Sequence, residues 1–153
     1  MSQTELDRDS LRRKYRQERD KRLKAESAGK YTRVQGALAD HYDSDPWAPT
    51  IKPRKRVDWE LEVLIVGGGF AGLLAGGNLR KHGVDAKDIC IVERGADFGG
   101  TWYWNRYPGL SCDTESYCYL PLLEDTGYVP KEKYAHGPEL FGYSQIVGRH
   151  FGL

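Results

Sequence analysis

Gly67-Gly68-Gly69-Phe70-Ala71-Gly72 fits the pattern G-x-G-x-x-G, and its glycines each have a physical task. Gly67 permits a tight turn, Gly69 has no side chain to hold a diphosphate off the backbone, and Gly72 lets a helix pack closely on a strand. A helix that starts here presents N–H groups and a partial charge of about +0.5 to phosphates. Glu93 stands 21 residues beyond Gly72, close to the spacing of about 20 at which an acid takes the ribose hydroxyls of a dinucleotide. A carboxylate there repels a 2′-phosphate, so the expected ligand is FAD or NAD and not NADP. The plain alternative is a glycine-rich turn with an acid at that distance by chance.

The flanking residues supply the elements that such a site needs. Val63 to Val66 are a continuous apolar run, as in a strand buried on both faces of a parallel sheet, and a strand is expected over Trp59 to Val66. A helix is expected over Phe70 to His82, with Leu73, Leu74 and Leu79 toward the sheet and Gly83 as its cap. Gly76 and Gly77 each weaken that helix by up to about 1 kcal/mol, so close packing against the sheet or a cofactor is their expected reason. Asp88 to Glu93 form a second short strand, completing a βαβ unit. A further helix is expected over Pro138 to Phe151, with Leu140, Tyr143, Val147 and Phe151 on one face and Gly152 as a cap. Two parallel strands and one crossover helix leave a sheet half covered, so the chain reads as the first part of a larger α/β domain.

Between Arg94 and Tyr119 the sequence is loop-like and aromatic. Trp102, Tyr103, Trp104 and Tyr107 crowd into six positions behind Gly99-Gly100, a composition suited to an apolar slot for a flat tricyclic ring. A core aromatic cluster is the alternative reading. Asn105 and Arg106 argue against a purely apolar core, because arginine is rarely buried without a partner.

Taken together, Gly67 to Gly72, Glu93, the run Gly99-Gly100-Thr101-Trp102-Tyr103-Trp104-Asn105-Arg106-Tyr107-Pro108-Gly109, and Cys112-Asp113-Thr114-Glu115-Ser116 with Tyr117-Cys118-Tyr119 resemble the N-terminal FAD-binding part of the Baeyer–Villiger monooxygenases. The similarity covers about Val57 to Leu153. The fold it implies is α/β: the first βαβ unit of a Rossmann-like FAD-binding domain, incomplete, behind a charged helical N-terminal extension. Residues 1–56 are then the extension and linker, and 57–153 the partial FAD/NAD(P)-binding domain. The resemblance further implies tightly bound FAD, NADPH, and molecular oxygen used through a C4a-peroxyflavin to turn ketones into esters or lactones. Ala71 would line the FAD phosphates beside Gly67, Gly69 and Gly72, Glu93 would bind the ribose, and Thr101, Trp102, Tyr103 and Trp104 would pass along the flavin. Ser111, Cys112 and Asp113 would lie where the nicotinamide of NADP approaches. The family tyrosine that touches FAD falls on Tyr119, or on Tyr117 if one gap is opened. The second glycine motif for NADPH and the catalytic arginine are missing and would lie beyond Leu153. No catalytic residue is therefore expected in this chain, and no turnover without the missing C-terminal NADPH domain.

Composition bounds the remaining possibilities. With 153 residues, one domain is the ceiling. The mean hydropathy is −0.66 and no window approaches the roughly 20 apolar residues of a membrane helix, so no membrane span is expected. The charged N-terminus is unlike a signal peptide. Three cysteines, Cys90, Cys112 and Cys118, cannot pair fully and lack zinc-site spacing, which suits reduced thiols in a cytoplasmic protein. The four histidines are scattered, so no metal is expected. Cys112 beside Asp113 is a poor nucleophile, since a neighbouring carboxylate raises a thiol's pKa. Residues 1–57 carry a net charge of +6 and residues 58–153 one of −5. A helix is expected over Glu5 to Lys30, followed by an extended linker over Asp43 to Arg56 with Pro46, Pro49, Pro53 and an exposed Trp47. The basic arm reads as solvated or self-docking, and nucleic acid is not expected. Two other functions remain on this evidence: an NAD-dependent dehydrogenase module, and a non-catalytic truncated remnant with a basic interaction tail.

Overall fold

The computed structural model describes residues 7–26, 35–36, 39, 44–48 and 55–153, with the backbone alone for 24–26. The chain divides into two compact units, Met1–Ser44 and Asp45–Leu153. The first contains α1 (Arg8–Glu26). Asp7 starts this helix, its carboxylate accepting from Asp9 N and Ser10 N at 3.0 and 3.2 Å, which satisfies N–H groups that the helix itself cannot. Leu11, Tyr15 and Leu23 are all exposed, so α1 buries no apolar stripe among the described residues. Its ion pairs, such as Lys21 with Glu18 at 2.8 Å, are solvent-exposed and contribute little to stability. The expected ends of this helix, Glu5–Leu6 and Ser27–Lys30, lie outside the described residues, as do Asp43 and residues 49–54 of the expected linker.

The second unit begins with a parallel pair, β1 (Val63–Val66) and β2 (Ile89–Val92), in the register Val63 with Ile89 through Val66 with Val92. Both strands are shorter than the apolar runs suggest. Glu62 N still reaches Asp88 O at 3.1 Å, but Trp59 to Leu61 have no strand beside them, because Ala86–Asp88 already form a 3-10 turn capped by the Asp85 side chain. The crossover helix α2 (Phe70–Lys81) ends on His82, and Gly83 follows in the left-handed region at φ +90°. Three single turns come next, α3 (Thr101–Trp104), α4 (Ser116–Tyr119) and α5 (Leu123–Thr126), and then the long α6 (Gly137–Phe151), closed by Gly152 at φ +67°. The turns α3 and α4 fall in a stretch that reads as loop, since four residues carry no helical periodicity.

The core lies between α2, α6 and the loops that join them, with the sheet at its margin. Leu73, Leu140, Tyr143 and Val147 are fully buried, together with Trp102, Cys112, Leu120 and Ala135. Leu74, expected to face the sheet, is exposed, because the face of α2 that carries Leu73, Gly76 and Gly77 is the one packed inward. Gly76 and Gly77 do mark close packing: a Cβ on Gly76 would meet Leu153 at 2.9 Å, and one on Gly77 would meet Leu122 at 2.9 Å and Phe151 at 3.2 Å. Leu122 reaches that notch from a left-handed backbone, φ +60°, a conformation that costs a leucine about 1–2 kcal/mol. Tyr143 donates to Pro121 O at 2.5 Å. Beside it, Tyr128 donates to Glu139 Oε1 at 2.7 Å.

The sheet departs from the two-sided burial that its sequence suggests. Val63 and Ile65 are half-buried on the helix side, whereas Leu64 is 60% and Val66 83% exposed, with Val92 at 46%. Among the described residues only one face has helices on it, so apolar residues of the other face meet solvent.

Two outcomes are expected. This open face should make the chain self-associate as concentration rises in sedimentation velocity, and Leu64→Lys with Val92→Glu should reduce that association; a monomer at every concentration would contradict the reading. Burial, and then the bond to Glu139, push the Tyr128 phenol from 10.0 up to about 12. The fold thus holds the phenol proton, and the stability this contributes is complete below about pH 10 and lost between about 10 and 12. In an ultraviolet tyrosinate titration, Tyr128→Phe should lose one of the late-titrating phenols, with those of Tyr103 and Tyr143 remaining.

Candidate functional site

The turn after β1 is fixed from both sides. Gly67 takes φ +106° with open space where a Cβ would stand, and its N–H donates to Val92 O at 2.8 Å. Gly72 must be glycine for a different reason, since a Cβ there would run into the Gly67 carbonyl oxygen. Gly69 is the cap residue of α2 and no side chain caps that helix, which leaves its N-terminus open to an anion. Ala71 is exposed on the first turn.

Glu93, one residue past β2, lies against this turn. Its Oε2 accepts from Gly68 N at 2.5 Å and its Oε1 from Gly95 N at 2.8 Å. One carboxylate therefore joins the glycine turn to the loop that leaves β2. A groove of about 700 Å³ opens beside it, with Trp59, Leu64, Val92, Ala96 and Phe98 among its walls.

A second glycine turn meets the first. Gly99 N donates to Gly68 O at 3.0 Å, and Gly100, at φ +51° and ψ −117°, lies backbone to backbone with Gly69. A Cβ on Gly100 would stand 2.9 Å from Gly69 Cα, whereas one on Gly69 would stand an ordinary 3.5 Å from Gly100 Cα. A side chain at Gly69 would thus press first on the second turn. Gly100 is the stricter of the two, for both its backbone angles and its neighbour exclude a side chain.

Two of the aromatic residues behind this contact are buried, and a hollow of about 260 Å³ lined by Trp102, Tyr107 and Phe141 opens beside them. Trp102 is 6% and Tyr103 2% exposed. Trp102 Nε1 donates to Tyr119 OH at 3.0 Å, and the two rings meet edge to face. Tyr119 also packs on Phe70, the first residue of α2, with centroids 5.7 Å apart, while Tyr117 is exposed. Thr101 is exposed and Trp104 half-buried, the latter with Arg94 over its ring at 5.6 Å. Ser111 and Asp113 are exposed around a buried Cys112, in a strip held by the bridge of Ser111 to His136 and by Cys112 N to Ala135 O at 3.0 Å.

Sequence reasoning gave no role to Asp45, Trp47 and Phe98. Asp45 accepts from Tyr103 OH at 2.6 Å and from Ala96 N at 3.1 Å, and Trp47 Nε1 donates to Trp104 O at 3.2 Å. Arg106 lies over the rings of Trp47, Tyr103 and Phe141 at 4.6 to 4.9 Å and donates to Tyr103 O, its partners being ring faces and a carbonyl rather than an acid. Burial opposes the Asp45 charge, but the bonds from Tyr103, Trp47, Ala96 and Ala48 outweigh it and hold the carboxyl below the usual range. Burial, and then Asp45, raise the Tyr103 phenol. Among the described residues no cluster of metal-ligating side chains occurs, and no helix is long and apolar enough to cross a membrane.

Strand, glycine turn, helix, parallel strand and acid in this arrangement define the beginning of a Rossmann-like dinucleotide-binding domain. The family of NAD(P)-binding Rossmann-like domains matches residues 65–128. Beyond that class, the chain is homologous to the N-terminal part of the Baeyer–Villiger monooxygenases. It is 46% identical over 149 residues to Baeyer-Villiger monooxygenase 4 of Dietzia sp. (strain D5), and 47% identical over 148 residues to neopentalenolactone D synthase of Streptomyces avermitilis. Each alignment covers 97% of this chain and 24% of the relative. The polycyclic ketone monooxygenase of the thermophilic fungus Thermothelomyces thermophila superposes with a TM-score of 0.69 at 41% identity, over 78% of this chain and 20% of that one. OTEMO, in a crystal structure with FAD and NADP, superposes with a TM-score of 0.53 at 32% identity, over 60% of this chain and 17% of that one. The chain spans about a quarter of the length of the curated relatives it matches.

Gly100→Ala should destabilise the chain by about 1–3 kcal/mol in chemical denaturation. Gly142→Ala, with nothing within 4 Å of the added Cβ, should be neutral or stabilising. Equal effects of the two would show that the contact of the glycine turns does not constrain position 100.

Proposed function

We propose that this chain is the FAD-binding portion of an NADPH- and O2-dependent monooxygenase that oxidises ketones to esters or lactones. The observation that carries the reading is the junction of two glycine turns beside a carboxylate. Bare backbone at Gly67 and Gly69, an uncapped helix N-terminus, and Glu93 against Gly68 N–H together fit a dinucleotide. Gly67, Gly69, Ala71 and Gly72 would hold the diphosphate. Glu93, with two of its roughly four acceptor positions in use, would take the ribose hydroxyls. The exposed Thr101 and the α3 backbone up to Trp104 would run along the flavin, with Trp102 and Tyr103 supporting it from below. Tyr119, beside Phe70 and Trp102, would steady that edge, and Ser111, Cys112 and Asp113 would meet the nicotinamide end of NADP. When bound, FAD supplies the redox chemistry. The residues of this chain bind it, orient it and keep water from its inner face.

In this reading residues 1–56 are an extension and linker and 57–153 the partial nucleotide domain, NADPH is held mostly by a further domain, and the protein works in the cytoplasm with its three cysteines as thiols. A dehydrogenase module is not favoured, because the relatives with crossing similarity are monooxygenases.

The direct test is titration of the purified chain with FAD and separately with NAD, followed by flavin fluorescence and calorimetry. FAD should bind in one-to-one ratio and the chain alone should show no ketone-dependent NADPH oxidation. A folded chain that takes up NAD and no FAD would overturn the reading.

A further inference from the structure

We propose that Asp45 is a positioning residue for the dinucleotide site, fixing the loop over residues 95–106 against the glycine turn through Ala96 and Tyr103. The inference rests on the FAD-binding reading above and adds to it a residue far from the nucleotide motif in sequence.

Two carboxylates take consecutive amides of one loop. Glu93 holds Gly95 N and, with its other oxygen, Gly68 N of the glycine turn. Asp45 holds the next amide, Ala96 N, on the same Oδ2 that accepts from the Tyr103 hydroxyl. Tyr103 is the spacer between the two turns: a Cβ on Gly95 would meet its ring at 2.7 Å, and one on Gly99 would meet its Cβ at 3.2 Å. Pinning the phenol therefore sets where Gly95 presents its amide to Glu93, and where Gly99 and Gly100 come to rest on Gly68 and Gly69.

Asp45 is itself held in place. Its Oδ1 accepts from Trp47 N at 2.9 Å and its carbonyl from Ala48 N at 3.3 Å, an Asx turn with Pro46 fixing the backbone in the middle. Trp47 secures the other end of the same loop through Trp104 O and under Arg106, whose Nε donates to Tyr103 O at 2.9 Å. The Tyr103 hydroxyl is almost completely shielded from water. Without Asp45 it keeps a donor, Ala96 N at 3.1 Å, but loses its acceptor, and a buried unpaired hydroxyl proton drives the side chain to move.

The test is FAD titration of the full chain carrying Asp45→Ala, Asp45→Asn and Trp47→Phe, with amide hydrogen exchange at Ala96 and a thermal melt for each. Asp45→Ala should weaken FAD binding roughly tenfold or more and speed exchange at residues 95–105, with Asp45→Asn in between, since it retains one acceptor oxygen. Tyr128→Phe, which loses a bond remote from this loop, serves as the stability control and should keep its FAD affinity. Unchanged FAD affinity in a folded Asp45→Ala overturns the inference alone. So does a loss of affinity that Tyr128→Phe reproduces at equal melting temperature, because the role is then general stability. Should Asp45→Ala fail to fold, Asp45→Asn and Trp47→Phe decide by the same comparison. A wild-type chain that binds no FAD defeats the functional reading first and this inference with it.

Discussion

The Glu93 carboxylate between Gly68 N–H and Gly95 N–H is the constraint on which the rest of the second unit depends. A carboxylate that accepts from backbone amides makes charge-assisted bonds, stronger than neutral ones and demanding in geometry. It closes the crevice end of the βαβ unit and so determines where the chain goes after β2. That route brings Gly99 onto Gly68 and Gly100 onto Gly69, and it delivers Trp102 into the core and Tyr103 onto Phe141 of α6. A neutral turn at the same place would leave the aromatic loop to be positioned by packing and by its bonds to Asp45 and Trp47.

The packing follows from that route. The sheet has two strands among the described residues, which offers little apolar surface, and it acts as a shelf for one helix. The burial that stabilises the unit comes from α6 against α2, with Leu73, Leu140, Tyr143 and Val147 removed from water. Small residues make this possible at three points: Gly76 and Gly77 on α2, and Gly148 on α6, where the Phe98 ring occupies the place of a side chain. Phe98 belongs to the loop that Glu93 orients, so the loop that lies against the glycine turn also fills the helix interface. Stability and binding geometry share parts, and a change in one is felt in the other.

Much of this was legible in the sequence, for physical reasons. The turn Gly67 to Gly72, the two apolar runs and the face of α6 are local patterns, and local patterns report their own conformation. Strand lengths were less legible, because the end of a strand is decided by its partner: Trp59 to Leu61 read as strand and lack one. Leu74 illustrates a related limit, since three leucines at helical spacing do not say which edge of the stripe a neighbour covers. The aromatic loop was ambiguous between slot and core on composition. The structure divides it, burying Trp102 and Tyr103 and leaving Thr101 and Tyr107 exposed. Asp45 was out of reach entirely. Its partners lie 51 and 58 residues away, and an Asp-Pro pair in a proline-rich stretch carries the ordinary marks of a linker.

The hydrogen bonds that Glu93 already makes bear on what kind of site this is. An acid free in the crevice would need to be organised when a ribose arrives, with the loss of side-chain freedom charged against binding. Here both oxygens are already held by backbone amides, and the remaining acceptor positions point where those amides do not. Preorganisation of this sort favours a ligand with two adjacent hydroxyls, since a rigid pair of oxygens offers two acceptors at once. It disfavours a phosphate on the same ribose, because the carboxylate cannot rotate away from the added negative charge without releasing Gly68 and Gly95. In the proposed role of Glu93, discrimination between a plain adenosine ribose and a phosphorylated one would follow from how firmly the acid is held as well as from its charge.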